Sequence, residues 1–238
     1  MAGELVAVET RIKGVPLAMQ TQKRFTPALG YEKLTPLYDL AIAGLTREQT
    51  WRKRLIDVVS PQAGERILDV GCGTGSLIKR IKKVSPQTHL MGVDPDEAVL
   101  ERAKRKAGKH SHEIEWHVGF LTSELADVVK PIDKVISSLV LHQTPIAEKK
   151  RILETMRAVL KPGGSVHIAD YGLQRTRLMR TLFRRTVQAI DGVEDTTPNA
   201  EGKLPVYMKE AGFEDVAELQ VIPTATGSIS IYTGSAAE

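Results

Sequence analysis

Apolar positions in this chain recur in two rhythms, helical and strand-like, and the order in which they alternate predicts the architecture. From residue 31, Leu34, Leu37, Tyr38, Ile42 and Leu45 fall at helical spacing, with Pro36 admissible only in a first turn. A second helix is expected over 46–59, where Thr46 and Gln49 have the form of a capping box. Trp51, Leu55, Ile56 and Val59 would fill one of its faces, and Ser60-Pro61 would stop it. The run Ile67-Leu68-Asp69-Val70 then reads as a short strand entering a loop with glycine at 71, 73 and 75. A helix pattern follows at once, with Leu77, Ile78, Ile81 and Val84 apolar and Lys79, Arg80, Lys82 and Lys83 polar. Strands are expected over 89–93, 113–118, 133–140 and 165–169, separated by helices from Asp96 to about 107, over 123–129 and over 147–160. Strict alternation of strand and helix implies a parallel sheet with helices on both faces.

After Tyr171 the texture changes. Residues 173–190 read as one basic amphipathic helix, 191–202 as a polar loop, and 204–211 as a short helix with Pro205 in its first turn and Gly212 closing it. Two strands, 216–222 and 228–233, close the pattern. Residues 1–25 lack a period and are expected to form a loosely ordered arm or flap. The expected division is an N-terminal arm and helical cap over 1–60, then one α/β domain over 61–238 with an insertion at about 172–203 that covers substrate.

Composition narrows the class. With 238 residues, 42% hydrophobic and 26% charged, the chain can bury a full α/β core as an ordinary globular protein. No apolar run approaches the roughly 18 residues that span a bilayer, and the N-terminus lacks the pattern of an export signal. One cysteine excludes a disulfide framework or a multi-cysteine metal site, and the histidines lack metal-binding spacing, so a cytoplasmic protein without a metal is expected. A charge of +4 is too mild to name a partner.

The glycine loop carries the chemistry. Strand, glycine turn and helix make half of a nucleotide-binding unit, in which glycine permits φ > 0 and leaves no Cβ between main chain and ligand. A dinucleotide fingerprint needs its third glycine one position later than Gly75, where Ser76 stands, which disfavours a nicotinamide enzyme. Leu68-Asp69-Val70-Gly71-Cys72-Gly73-Thr74-Gly75, with Asp94 ending the second strand, resembles the class I S-adenosylmethionine-dependent methyltransferases over about residues 62–169. The resemblance implies a Rossmann-like α/β fold: a seven-stranded, mostly parallel sheet of order 3-2-1-4-5-7-6, its last strand antiparallel. It implies S-adenosyl-L-methionine as cofactor and S-adenosyl-L-homocysteine as product. Gly71, Cys72, Gly73 and Gly75 would lie along the methionyl part, Asp69 would help hold the amino-acid end, and Asp94, followed by Pro95, would bind the ribose hydroxyls.

Each of these residues also has a plainer reading. Asp94-Pro95-Asp96 could be a turn and helix cap, and Asp69 a strand-end residue capping the loop. The segment after the third strand, His117 to Leu121, has no carboxylate where the family usually has one. Adenine would then rest on backbone groups of Gly119 and Phe120, unless Phe120 is core. A nucleophilic Cys72 is rejected, because methyl transfer from a sulfonium needs no covalent enzyme intermediate.

The fourth strand ends Ser137-Ser138-Leu139-Val140-Leu141-His142, where the resemblance places Ser138 against the cofactor and the acceptor nearby. The Asn/Asp-Pro-Pro-Tyr signature of base-amine methylation is absent, which argues against nucleic acid as substrate, and arsenic methyltransferases rely on several cysteines. His142 is a candidate general base or a loop residue, Asp170 is the other candidate base, and Asp170 and Tyr171 are candidates for substrate contact. The segment 31–51 and His167 to Gly172 resemble the ubiquinone/menaquinone-type quinone methyltransferases. That implies a small-molecule acceptor, lipophilic or quinol-like, with an amine or phospholipid head group as the alternative. A methyltransferase-like protein that holds the cofactor for regulation is the second class of reading. The arginine-rich 173–190 stretch could touch a membrane surface or an anionic substrate, or be a solvated face. The sequence leaves the oligomeric state open.

Overall fold

The computed structural model describes residues 46–238. The arm over 1–25 and the helix expected from residue 31 lie outside the described residues. Seven strands form one sheet: β1 (Arg66–Val70), β2 (His89–Asp94), β3 (Ile114–Val118), β4 (Ile132–Ser138), β5 (Leu160–Tyr171), β6 (Glu214–Thr224) and β7 (Gly227–Ser235). Their spatial order is β3-β2-β1-β4-β5-β7-β6, as expected. The first five pair in parallel, and β7 runs antiparallel to both its neighbours. The terminal strands therefore form a hairpin while the rest need helical crossovers.

Side chains alternate faces along each strand, and both faces are covered. On one face Leu68, Val70, Met91, Val93, Val135 and Ile168 pack under α4 (Ser123–Val129), α5 (Ile146–Val159) and α9 (Leu204–Glu210). On the other, Ile67, Leu90, Ile136 and Ala169 meet α1 (Glu48–Val59), α2 (Ser76–Val84) and α3 (Glu97–Ala107). Asp69 alternates with Leu68 and Val70, so it falls on this second face, the one carrying α1. Trp51 is fully buried and anchors α1 there.

Several expectations change. α1 begins at Glu48 with Arg47 in the left-handed region and no side-chain cap, so Thr46 and Gln49 do not form a capping box. Asp96 does cap α3, accepting from the Val99 N–H at 3.1 Å. β4 ends at Ser138, two residues early, because Leu139 turns out of the strand at φ 56°. β5 begins five residues earlier than expected, and its pairing with β4 is irregular there. The single helix over 173–190 is two, α6 (Arg177–Arg185) and α7 (Val187–Asp191), broken at Thr186. The polar stretch read as a loop is helix α8 (Val193–Ala200), with Pro198 inside it. Among the described residues no helix is long and apolar enough to cross a membrane, and no group of three or more acidic, histidine or cysteine side chains could hold a metal.

Candidate functional site

The parallel strands deliver their carboxyl ends to one edge, where ligands bind in open α/β sheets. There the backbone folds as the glycines require. Gly71, Gly73 and Gly75 have φ of 71°, 53° and 66°, and the Gly71 and Cys72 N–H groups donate to the Val93 carbonyl, tying loop to β2. The three glycines have different reasons to be glycine. A Cβ on Gly71 would overlap Val140, and one on Gly75 would press on Ala103 and Trp116. A Cβ on Gly73 would meet nothing within 4 Å, so Gly73 presents bare backbone to open space. Cys72 is buried with its Sγ beside Gly92, and burial pushes its thiol up, far from nucleophile chemistry.

Asp94 stands at the end of β2 with both oxygens oriented. Oδ2 accepts from the Gly73 N–H at 2.8 Å and Oδ1 from the Asp96 N–H at 3.0 Å. Each oxygen retains acceptor capacity, which is what two ribose hydroxyls need. Helix capping belongs to Asp96, so the turn-and-cap reading does not account for Asp94. Partial burial raises the Asp94 carboxyl above its usual range, offset in part by those two N–H donors.

Asp69 is 1% exposed, and neither carboxylate oxygen has a hydrogen-bond partner. It therefore does not cap the loop. Burial raises it to about 7, against the pull of the Arg52 guanidinium and with a push from Asp94. Arg52, on α1, keeps Nε and Nη1 buried without partners while Nη2 pairs with Glu48 at 3.0 Å and the guanidinium lies 5.0 Å over Trp51. A buried carboxylate without a partner and a guanidinium with two buried N–H groups unsatisfied are costly inside a protein. Together they complement the ammonium and carboxylate of an amino-acid end, so the residues present fit S-adenosylmethionine. Arg52 was not legible in the sequence, because helical periodicity shows only that it follows Trp51.

At the end of β3, the Gly119 N–H donates to the Asp94 carbonyl at 2.9 Å, which takes that donor away from an adenine ring. Gly119 has φ 135° with open space on its Cβ side, and Phe120 is 49% exposed and so is not core. Pro95 and Ser138 are half-buried along the same edge.

Past β4 the chain makes a 3-10 turn, Leu141–Gln143, that carries His142. Val140 rests on Gly71, so this turn is packed directly onto the glycine loop. Asp170 and Tyr171 arrive from the end of β5. Asp170 is fully buried: Oδ1 bonds His142 Nδ1 at 2.8 Å and the Tyr171 N–H at 2.7 Å, and Oδ2 accepts the Leu141 and His142 N–H groups at 2.7 and 3.3 Å. It shapes the turn and orients the imidazole, and is itself shut away from substrate. His142 Nε2 faces Asp191 Oδ2 at 3.5 Å. Burial works against a charged His142, but Asp170 and then Asp191 outweigh it and raise the imidazole to about 9. Tyr171 packs edge-on to His142 at 5.0 Å, and its hydroxyl bonds Thr226 Oγ1 at 2.8 Å. Burial pushes that phenol up to about 12, so it is no acid or base near neutrality.

Residues 67–164 match a methyltransferase domain family. The demethylmenaquinone methyltransferase of Halalkalibacterium halodurans is 26% identical over 226 residues, covering 86% of this chain and 89% of that protein. Among solved structures, an O-methyltransferase family protein from Burkholderia thailandensis aligns at TM-score 0.60 and 18% identity over 79% of this chain. The chain spans 57% of that protein's length. The N-methyltransferase NodS from Bradyrhizobium japonicum, solved with S-adenosyl-L-homocysteine, aligns at TM-score 0.58 and 16% identity, covering 80% of this chain and 88% of NodS.

Proposed function

We propose that this chain, a class I S-adenosylmethionine-dependent methyltransferase, moves the methyl group to a small lipophilic acceptor of quinol type, held beside His142. The observation that carries the reading is the contact of Val140 with Gly71, which sets the His142 turn against the glycine loop. Donor and acceptor sides thus share a wall. The demethylmenaquinone methyltransferase at 26% identity supplies the acceptor class.

In this reading Asp69 and Arg52 take the ammonium and carboxylate of the cofactor's amino-acid end, Asp94 takes the ribose hydroxyls, and Gly119 and Phe120 border the adenine. When bound, S-adenosylmethionine supplies a methyl already activated on a sulfonium. The protein's own task is alignment and exclusion of water, and good alignment can lower a barrier by roughly 7–11 kcal/mol. His142, carrying a proton at neutral pH between Asp170 and Asp191, is held in one orientation and borders the acceptor as a fixed wall of the site. Asp170 acts through His142 as a positioning residue.

Two measurements test this. Transfer of labelled methyl should occur to a reduced 1,4-naphthoquinol and not to vesicles of phosphatidylethanolamine. Labelling of the vesicles instead would replace the quinol by the amine reading. S-adenosyl-L-homocysteine should raise the melting temperature where nicotinamide dinucleotides do not, since a ligand at 100 times its Kd adds about 2.7 kcal/mol. Failure of that shift would remove the cofactor assignment for Asp69, Arg52 and Asp94.

A further inference from the structure

Lys149 is a fully buried lysine that none of the cofactor or acceptor contacts above requires. It sits in the first turn of α5, and its ammonium reaches two segments at once. On one side it donates to the Leu141 carbonyl and, at 3.2 Å, to the His142 carbonyl. On the other it donates to the Asp195 carbonyl at 2.7 Å and to Asn199 Oδ1 at 3.0 Å, one turn apart on α8. The amide of Asn199 is used at both ends, because its Nδ2 donates to the Tyr171 carbonyl at 3.0 Å. Among the described residues no carboxylate side chain makes an ion pair with the ammonium. Every acceptor is a carbonyl or amide oxygen whose position depends on a backbone segment.

We propose that Lys149 is a positioning residue that locks helix α8 onto the His142 turn, so that closing the acceptor side and orienting the imidazole are a single event. The inference rests on the reading of His142 as the acceptor-side residue. The Lys149–Asn199–Tyr171 chain joins α5, the 3-10 turn, α8 and the end of β5, and Asp191, two residues before α8, is the group that faces the outer nitrogen of His142. If α8 lifts, Lys149 loses its two acceptors on that helix and Asp191 leaves the imidazole. The groups facing His142 are Asp170 from β5, Asp191 from α7 and the Tyr171 ring; those facing Lys149 are Asp170 and Asp195. Burial outweighs both carboxylates at Lys149 and lowers the ammonium to about 8, so the lock weakens on the alkaline side of neutrality.

The test uses the full chain saturated with S-adenosyl-L-homocysteine. Lys149→Met keeps the buried stem and removes the donors. Amide hydrogen exchange should quicken about tenfold in 141–143 and 193–200 together, with β1 and β2 unchanged. The imidazole titration of His142, followed by nitrogen NMR, should move about one unit toward that of an ordinary histidine. Removing a nearby positive charge alone would move it the other way, so the direction separates loss of orientation from loss of charge. Asn199→Leu, milder than Lys149→Met if the latter fails to fold, should show the same paired quickening. Exchange that quickens in only one segment, or a His142 titration that stays put or rises, would overturn the proposal. A chain that methylates no quinol yet shows the paired response leaves the lock standing and removes only the functional reading.

Discussion

At Asp69 the residue scale sets binding against stability. Its carboxylate is buried without a partner, and burial raises its pKa from 3.8 to about 7. Between these values the unfolded chain releases a proton that the folded chain keeps, so folding stability falls as pH rises through that window and levels off above it. A shift of that size corresponds to on the order of 4 kcal/mol. Asp69→Asn should therefore gain stability relative to the unmodified protein between pH 4 and pH 8 in urea unfolding without ligand, while binding S-adenosyl-L-homocysteine more weakly. A stability difference that does not change with pH would mean that Asp69 is not the ionising group. Asp94 offers a cleaner contrast, because its carboxylate is half-exposed and already oriented by Gly73 and Asp96. Asp94→Ala should raise the dissociation constant for S-adenosyl-L-homocysteine at least tenfold, about 1.4 kcal/mol or more, read by calorimetry. At this scale the sequence showed which residue types stood at the strand ends. That Arg52 comes from helix α1 to lie near Asp69 on β1 was invisible, because the two are brought together only by α1 lying across the sheet.

The glycine loop and the helices after β5 fail or hold as elements, for local reasons. Gly71 combines a left-handed backbone with Val140 on its Cβ side. Gly71→Ala should cost ~1–2 kcal/mol for the backbone and ~1–3 for overpacking, measured as a lowered denaturation midpoint. Gly73 has the same kind of backbone but open space, so Gly73→Ala should cost only the backbone part in stability and lose its effect mainly in cofactor affinity. Equal stability losses at the two positions would contradict these separate roles. The glycine pattern was readable because φ > 0 is a local demand. Helix α8 was not, since Thr196, Thr197 and Pro198 have weak helix propensity and read as a loop. Partners from elsewhere supply what propensity lacks: the Gln188 amide reaches both threonine hydroxyls at 3.2 Å, and Lys149 holds the Asp195 carbonyl. The break at Thr186 was hidden for the opposite reason. Arginines and apolar residues keep helical spacing straight through it, while its hydroxyl bonds back to the Leu182 carbonyl and the chain turns there.

For the whole molecule, the sheet gathers acids from distant parts of the chain around one histidine. His142 is raised from 6.5 to about 9, so the folded state holds its proton more tightly; that stabilisation is complete below pH 6.5 and is lost as pH rises through 9. His142→Gln should flatten this part of the stability profile relative to the unmodified protein. It should also slow methyl transfer by roughly 10²-fold, as a misaligned acceptor does, with S-adenosyl-L-homocysteine affinity nearly unchanged. Loss of affinity instead would move His142 to the cofactor side. The order in which strands join was implied by the family resemblance; the sequence by itself determined the strand–helix alternation and the glycine and aspartate positions that mark a cofactor edge. Those features follow from periodicity and from backbone conformations that only certain residues accept. Only the tertiary structure decided that Asp170 is buried behind His142, that Asp191 and Lys149 complete the turn, and that Arg52 faces the Asp69 pocket. Each is a meeting of residues far apart in sequence, and burial and charge at such a meeting depend on the packing of the whole sheet.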